Sequence, residues 1–317
     1  MTRLATILLT LAISLLFSWN VSAQQFPSKR VTLVAPFSAG GADAIARAIA
    51  QALSDIWKQD VIVENRPGAG SQVGTLHVAR SKPDGYTILI SSSAFTTLPA
   101  VRSDVPYDIF KDFEPISLVA FADLVVAVGP NVKANSIGEL IEEQKMRKMY
   151  FGTSGAGTSS HLLGEGLNLL TGMNLQAVHY KGGSEAVLDV AAGRTDAFVG
   201  AVNSLLPMID SGKVRLLATI ANERRAYSPD TPTLREAGVD GAENLSVWWG
   251  MFVPKGTPAD IVDQINAAVT KAIDQVKNLL SKTHAVKAPM SRKDFEELLN
   301  RDYVFWKSVS EQRGLTE

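Results

Sequence analysis

Val31-Thr32-Leu33-Val34-Ala35-Pro36-Phe37-Ser38-Ala39-Gly40-Gly41-Ala42-Asp43 reads as a strand, a glycine-rich loop and the start of a helix. The first five residues are apolar or β-branched without alternation, the composition of a strand buried on both faces. Pro36 ends that run, and the adjacent Gly40 and Gly41 let the loop backbone approach another group closely. Beyond Asp43, the residues Ile45, Ile49, Ala52, Leu53 and Ile56 recur at helical spacing. A strand followed at once by a helix is half of a βαβ unit. Its loop lies at the strand's C-terminal end, where open α/β sheets take their ligands. Asp43 reads as the helix cap, with Arg47 as its i+4 partner.

The same grammar continues in both directions. Val61-Ile62-Val63 is a second strand, ended by Asn65-Arg66-Pro67-Gly68-Ala69-Gly70. Tyr86-Thr87-Ile88-Leu89-Ile90 is a third, opening into Ser91-Ser92-Ser93. A second unit starts with the strand Leu124-Val125-Val126-Ala127-Val128. It continues through a helix over 137–148, the strand Met149-Tyr150-Phe151, the loop Gly152-Thr153-Ser154-Gly155-Ala156-Gly157-Thr158 and a helix over 159–170. Next come the strand Leu175-Gln176-Ala177-Val178-His179, the junction Lys181-Gly182-Gly183-Ser184, a helix ending near Ala192 and the strand Ala197-Phe198-Val199-Gly200 with Asn203 just past it. A strand over 214–220 precedes a polar, proline-containing crossover. Trp248-Trp249-Gly250-Met251-Phe252-Val253 returns as a strand, and amphipathic helices over 259–280 and 292–312 finish the chain. The expected architecture is an α/β fold of two lobes, each with a central, mainly parallel sheet. One lobe takes residues 24–123 and 226–317, the other 124–225, and two crossings make a hinge.

The N-terminus addresses a compartment. Arg3 supplies a short positive region, residues 4–17 form an apolar run too short to span a bilayer, and Val21-Ser22-Ala23 offers small residues for a signal peptidase. A signal peptide over 1–23, with cleavage after Ala23, is expected to export the protein to the periplasm. The 317 residues include no cysteine, which excludes a lipoprotein anchor, a disulfide, a thiolate zinc site and a cysteine nucleophile. Lys and Arg total 31 against 32 Asp and Glu. That near balance provides no basic field for nucleic acid and no polybasic membrane patch, so a small-molecule partner is expected. A monomer is expected as well.

The loops suit anions. Unpaired amides at a helix N-terminus sit at the positive end of the helix dipole and bind carboxylates or phosphates without Lys or Arg. The backbone of Ser38, Ala39, Gly40 and Gly41 is one such clamp. Thr153, Ser154, Gly155 and Thr158 form another with added hydroxyls, and two opposed clamps suit a ligand with two acidic ends. His161 either donates to that ligand or caps the loop, and Lys181 reads as a solvated surface charge. Phe37 and Phe95 could sandwich a ring or serve as wall and core. Trp248 and Trp249 either flank the cleft or pack the hinge. Gly152-Thr153-Ser154-Gly155-Ala156 nearly spells the G-x-S-x-G elbow of a serine hydrolase, but the last glycine is missing and His161 follows too closely. No nucleotide-binding glycine motif is present. His77, His161, His179 and His284 show no metal-ligand spacing, so neither metal nor cofactor is expected.

An ordered series of segments resembles the periplasmic solute receptors of tripartite tricarboxylate transporters, the Bug-type proteins. It comprises Val31-Thr32-Leu33-Val34-Ala35-Pro36-Phe37, Gly40-Gly41-Ala42-Asp43, Val63-Glu64-Asn65-Arg66-Pro67-Gly68-Ala69-Gly70, Lys82-Pro83-Asp84-Gly85-Tyr86-Thr87 and Val105-Pro106-Tyr107-Asp108. It continues with Tyr150-Phe151-Gly152-Thr153-Ser154-Gly155-Ala156-Gly157-Thr158-Ser159-Ser160-His161-Leu162, Tyr180-Lys181-Gly182, Asp230-Thr231-Pro232-Thr233 and Trp249-Gly250. The resemblance implies a Venus-flytrap receptor without catalytic activity. It would hold a small carboxylate, aliphatic or aromatic, partly through ordered water, and hand it to integral-membrane permease subunits. The binding set expected here is Phe37, Ser38, Ala39, Gly40, Gly41, Ser92, Thr153, Ser154, Gly155, Thr158, His161, Gly183 and Asn203. A secreted serine hydrolase and a ligand sensor for a membrane signalling partner are the alternatives.

Overall fold

The computed structural model describes residues 26–37, 41–180 and 183–315. The expected signal peptide, the loop residues Ser38, Ala39 and Gly40, and Lys181 and Gly182 lie outside the described residues. The fold class is the expected one, an α/β protein of two lobes, each built on its own sheet.

The first sheet has six strands. β1 (Val31–Ala35) runs parallel to both β2 (Val61–Asn65) and β3 (Thr87–Ser92). The connecting helices are α1 (Gly41–Trp57), between β1 and β2, and α2 (Gln72–Ala79), between β2 and β3; α3 (Ala94–Val101) leaves β3. The sheet then turns antiparallel: β10 (Trp248–Pro254) pairs with β3 and with β4 (Phe113–Ala122), and β11 (Ala285–Lys287) closes the edge on β4. The second sheet repeats this arrangement with β5 (Leu124–Val128), β6 (Tyr150–Thr153), β7 (Gln176–His179), β8 (Ala197–Ala201) and β9 (Arg215–Ile220). β6 runs parallel to β7 and β8, while β5 runs antiparallel to β8 and β9. Both sheets are therefore mixed rather than mainly parallel. Of the strands next to the crossings, β10 and β5 run against the βαβ strands of their sheets, while β4, antiparallel to β10, runs with those of the first.

The remaining helices are α4 (Ile137–Met146), α5 (Ser159–Thr171), α6 (Gly183–Ala191), α7 (Leu206–Asp210), α8 (Ala259–Gln275), α9 (Lys277–Lys282) and α10 (Arg292–Arg313). The single helix expected over 259–280 is two, broken at Val276. α4 starts where its sequence signs it: Ser136 Oγ accepts the Glu139 N–H at 3.1 Å, and the Glu139 carboxylate accepts the Asn135 N–H at 2.8 Å.

The first lobe packs α1 and α8 on one face of its sheet, where Leu33, Ile49, Leu53, Ile265 and Val269 are fully buried. Phe95, Phe113, Trp248, Phe252 and Phe295 fill the other face. In the second lobe Phe151, Leu163, Leu167 and Val199 form the core under α5. Asp123 alone separates β4 from β5, and the return runs through 221–247. α10 makes a third connection, since Phe295 and Leu298 belong to the first core while Trp306 and Val309 belong to the second. Leu234, Val239 and Leu245 of the return segment also pack on the second core. Among the described residues no helix is long and apolar enough to cross a membrane.

Candidate functional site

The C-terminal ends of the parallel strands of both lobes converge on one cavity of about 740 Å3. Pro36 and Phe37 follow β1, residues 67–71 follow β2, Ala94 follows β3, and residues 156–159 follow β6; all line it. This is where a βα unit exposes loop amides and helix N-termini. Thr97, Leu98, Val101 and Arg102 extend the wall along α3. His161 and Leu162 contribute from α5, and Gly314 and Leu315 from the end of α10. A second cavity of about 830 Å3 lies beside the two crossings, lined among others by Ala122, Leu124, Arg225 and Ser246, and it shares no lining residue with the first. Only the first collects the βα loops.

The first-lobe wall is set by packing and backbone strain. Asn65, the last residue of β2, donates through Nδ2 to the Phe37 carbonyl at 3.0 Å and to Asp43 at 2.8 Å. Arg47 completes the group, donating to Asp43 at 2.7 Å and to Asn65 at 3.0 Å. Burial opposes ionisation of Asp43, but these hydrogen bonds and the guanidinium charge hold its carboxyl below the usual range. Asp43 thus anchors the loop as well as meeting Arg47. In the next loop Gly68, Ala69, Gly70 and Ser71 have φ of 136°, 47°, 65° and 89°. Ala69 and Ser71 occupy the left-handed region that non-glycine residues avoid, a conformation that surrounding structure must impose and that clusters at ligand sites. α2 holds this loop against β1, because a Cβ on Gly74 would stand 2.8 Å from the Pro36 Cβ.

The second-lobe wall is a ring of hydroxyls bonded mainly to one another. Thr153 is fully buried, and its Oγ1 lies 2.8 Å from His179 Nδ1 and accepts the Gly155 N–H at 3.2 Å. Ser154 Oγ meets Thr158 Oγ1 at 3.1 Å and Ser160 Oγ at 3.0 Å. Thr158 Oγ1 donates to the Gly155 carbonyl at 2.7 Å. No side chain caps α5, so the first-turn amides of Ser159, Ser160 and His161 lack described partners at the mouth of the cavity. His161 Nδ1 accepts the Gly157 N–H at 3.1 Å, while burial first and His179 second push its pKa down from 6.5. Ser154 therefore has hydroxyl partners and no histidine base, so the elbow-like sequence lacks the geometry of a hydrolase.

Of the residues expected to bind, Phe37, Thr158 and His161 line the cavity. Gly41 opens α1 beyond residues 38–40, which are not described. Thr153, Ser154 and Gly155 stand behind the wall as its support. Ser92 lies at the end of β3 and accepts the Ala94 N–H at 3.4 Å, Gly183 opens α6, and Asn203 is exposed past β8; none of these three reaches the lining. Phe95 is core, stacked on Phe252 at 4.0 Å between ring centroids, and Trp248 is core as well. Sequence reasoning missed residues 67–71, Thr97, Leu98 and Arg102. The turn Pro67-Gly68-Ala69-Gly70 was the available signal, because it follows a strand just as the other two clamps do. Arg102 is the only charged side chain among the described lining residues, and it engages Asp104 through two bonds of 2.9 and 2.7 Å. Among the described residues no group of three or more His, Asp or Glu could hold a metal ion.

Two α/β lobes, joined by two crossings and sharing a cavity lined by βα loops of both, have the architecture of a periplasmic-binding-protein-type solute receptor. The family model described as tripartite tricarboxylate transporter family receptor matches residues 45–315, and the chain belongs to that family of receptors, which are not enzymes. BugT of Bordetella pertussis is 34% identical over 258 residues, 80% of this chain and 79% of its own length. A solved structure described as R. palustris Rpa4515 with adipate is 30% identical, with a TM-score of 0.76 over 91% of this chain and 98% of its own. MatC (Rpa3494) from Rhodopseudomonas palustris, with bound malate, is 28% identical, with a TM-score of 0.73 over 90% of this chain and 99% of its own.

Proposed function

We propose that this receptor captures a small di- or tricarboxylate, aliphatic or aromatic, in the interlobe cavity and delivers it to the integral-membrane permease subunits of a tripartite tricarboxylate-type transporter. The observation that carries this reading is the charge pattern of the wall. No acidic side chain stands among its described residues, while the uncapped start of α5, the Arg102 guanidinium and the hydroxyls of Ser71, Thr97, Thr158 and Ser159 surround the space. Such a wall favours a carboxylate over a cation and needs no buried lysine. Bound adipate and malate in two similar proteins support the same class of ligand. The apolar stretch of Phe37, Leu98, Val101 and Leu162 is matched by a hydrocarbon chain or ring between acidic ends.

The lobes are those built on the two sheets, with the hinge at Asp123 and within 221–247, and closure is favoured by contacts a ligand makes only when both walls reach it. Export by a cleavable segment ending at Ala23, a periplasmic location and a monomeric state belong to the same reading. The test begins with protein recovered from a periplasmic extract, whose mass reports the processed N-terminus and the oligomeric state. A thermal-shift screen then covers C4 to C6 dicarboxylates, citrate, acidic amino acids, aromatic carboxylates and neutral sugars. A ligand at about 100 times its Kd should stabilise the folded state by about 2.7 kcal/mol. One selective carboxylate is the expected result. Stabilisation by sugars with none by carboxylates sinks the proposal.

A further inference from the structure

The cavity wall contains one buried titratable group whose hydrogen bond fixes the anion-receiving loop. We infer that His161 is the positioning residue of the cleft: its unprotonated Nδ1 holds the Gly157 N–H, and protonation of that one imidazole releases the turn in front of α5. This inference deepens the carboxylate reading of the cavity and rests on it for its meaning, though not for its test.

The geometry is specific. Gly157 has φ of 71° and no neighbour within 4 Å of where a Cβ would stand, so packing does not hold the turn there. The bond to His161 at 3.1 Å does so, together with the Thr158 hydroxyl on the Gly155 carbonyl. The ring is itself immobilised. It is 8% exposed, lies nearly parallel to Phe151 of β6 at 6.5 Å and meets the edge of His179 of β7 at 4.7 Å. An Nδ1 that accepts from a backbone amide cannot carry a proton, so a charged imidazole would set two donors against each other at this position.

The charged surroundings favour the neutral ring. A positive charge on His161 is opposed by its histidine neighbour, in edge contact at 4.7 Å. Glu165, one turn along α5, is the neighbour that favours protonation, but its Oε1 is 4.0 Å from His161 Nε2, and its Oε2 accepts from Arg313 of α10 at 2.7 Å. Arg102, paired with Asp104, is the charged side chain of the same cavity wall. Below the His161 pKa the Gly157 bond is lost and the turn is expected to open while α5 stays packed.

Amide hydrogen exchange at Gly157, followed by NMR on the ligand-free protein from pH 5 to 8 and corrected for intrinsic exchange, reads this directly. Protection in the wild type should fall by about tenfold as the ring protonates, roughly the effect of one hydrogen bond. His161→Asn places an amide oxygen where Nδ1 was, and should keep protection at all pH values. His161→Gln mimics the other ring nitrogen and should lose it at all pH values. At pH 7.5, affinity for the carboxylate with the largest thermal shift should be about tenfold weaker in His161→Gln than in His161→Asn. Constant wild-type protection down to a pH at which the His161 ring resonances report protonation, or equal protection in the two variants, overturns the inference. A protein that binds no carboxylate overturns the reading of the cavity instead, and leaves the exchange result to decide on His161.

Discussion

Asp302 shows what one buried carboxylate does in this fold. It sits on α10 with 4% exposure and accepts from Trp306 Nε1 at 3.0 Å, Trp248 Nε1 at 3.2 Å, and the hydroxyls of Thr96 and Ser246. Burial outweighs these four donors and pushes its pKa up to about 6 from 3.8. The folded protein therefore holds this proton more tightly than the unfolded chain. The associated stability is present below about pH 4, is lost as pH rises towards 6 and stays lost above, a change of about 3 kcal/mol. Urea unfolding of wild type and Asp302→Asn at pH 4 and pH 7 isolates it from other carboxylates. The variant should gain on the wild type by about 2–3 kcal/mol between the two pH values, and a constant difference would show that Asp302 ionises normally. Its residue type was plain in the sequence. Its partners, from α3, β10, the return segment and α10, come from four places in the chain, and only packing puts them around one carboxylate.

At the scale of elements, the approach of α5 to β6 sets the second-lobe wall. A Cβ on Gly164 would fall 2.0 Å from the Phe151 ring, whereas Gly172, the left-handed cap of the same helix, has nothing within 4 Å. Gly164→Ala should cost about 3 kcal/mol through overpacking, and Gly172→Ala about 1 kcal/mol through backbone strain alone. Chemical denaturation of both checks this, and equal losses would remove close packing as the reason for Gly164. The alternating strands and helices of both βαβ units were legible because their period changes from buried runs to helical spacing. β4 was not, because Phe113–Ala122 is buried on both faces in the interior of the sheet and shows no alternation. α3 escaped because Thr96, Thr97 and Pro99 are poor helix formers that tertiary contacts override.

For the whole molecule, the crossings are tied to each other by an ion pair. Arg225 on the return segment donates to Asp123 on the outgoing one at 2.5 Å, and Asp123 is 6% exposed. Burial raises the Asp123 pKa even with Arg225 opposing. Tyr227 and His284, in edge contact at 5.4 Å, stand in the same neighbourhood, and the Asp123 N–H donates to the His284 carbonyl at 2.9 Å. Arg225→Met leaves a buried carboxylate without its cation and should cost about 3–5 kcal/mol at pH 7; adding Asp123→Asn should recover most of it. A double-mutant cycle on unfolding free energy reads the coupling, and additive losses would show that the pair does not join the crossings. Because the pair ties together the crossings that join the two lobes, ligand affinity should weaken in the single variant as well.

The amino-acid sequence by itself determined the βα grammar, the two units and the glycine and hydroxyl loops at strand ends, because these follow from local periodicity and backbone freedom. It also supplied the family resemblance. It identified Thr153 and Ser154 as loop hydroxyls but could not show that they support the wall behind Thr158 and His161. Tertiary structure alone decided which loops meet. Arg102 comes from the end of a helix that propensity did not reveal, Leu315 from just past a helix that crosses from one core to the other, and residues 67–71 from a turn before a helix that Gly74 lets approach Pro36 closely. Those juxtapositions depend on contacts distant in sequence, whose free energy lies in packing and buried hydrogen bonds rather than in any local pattern.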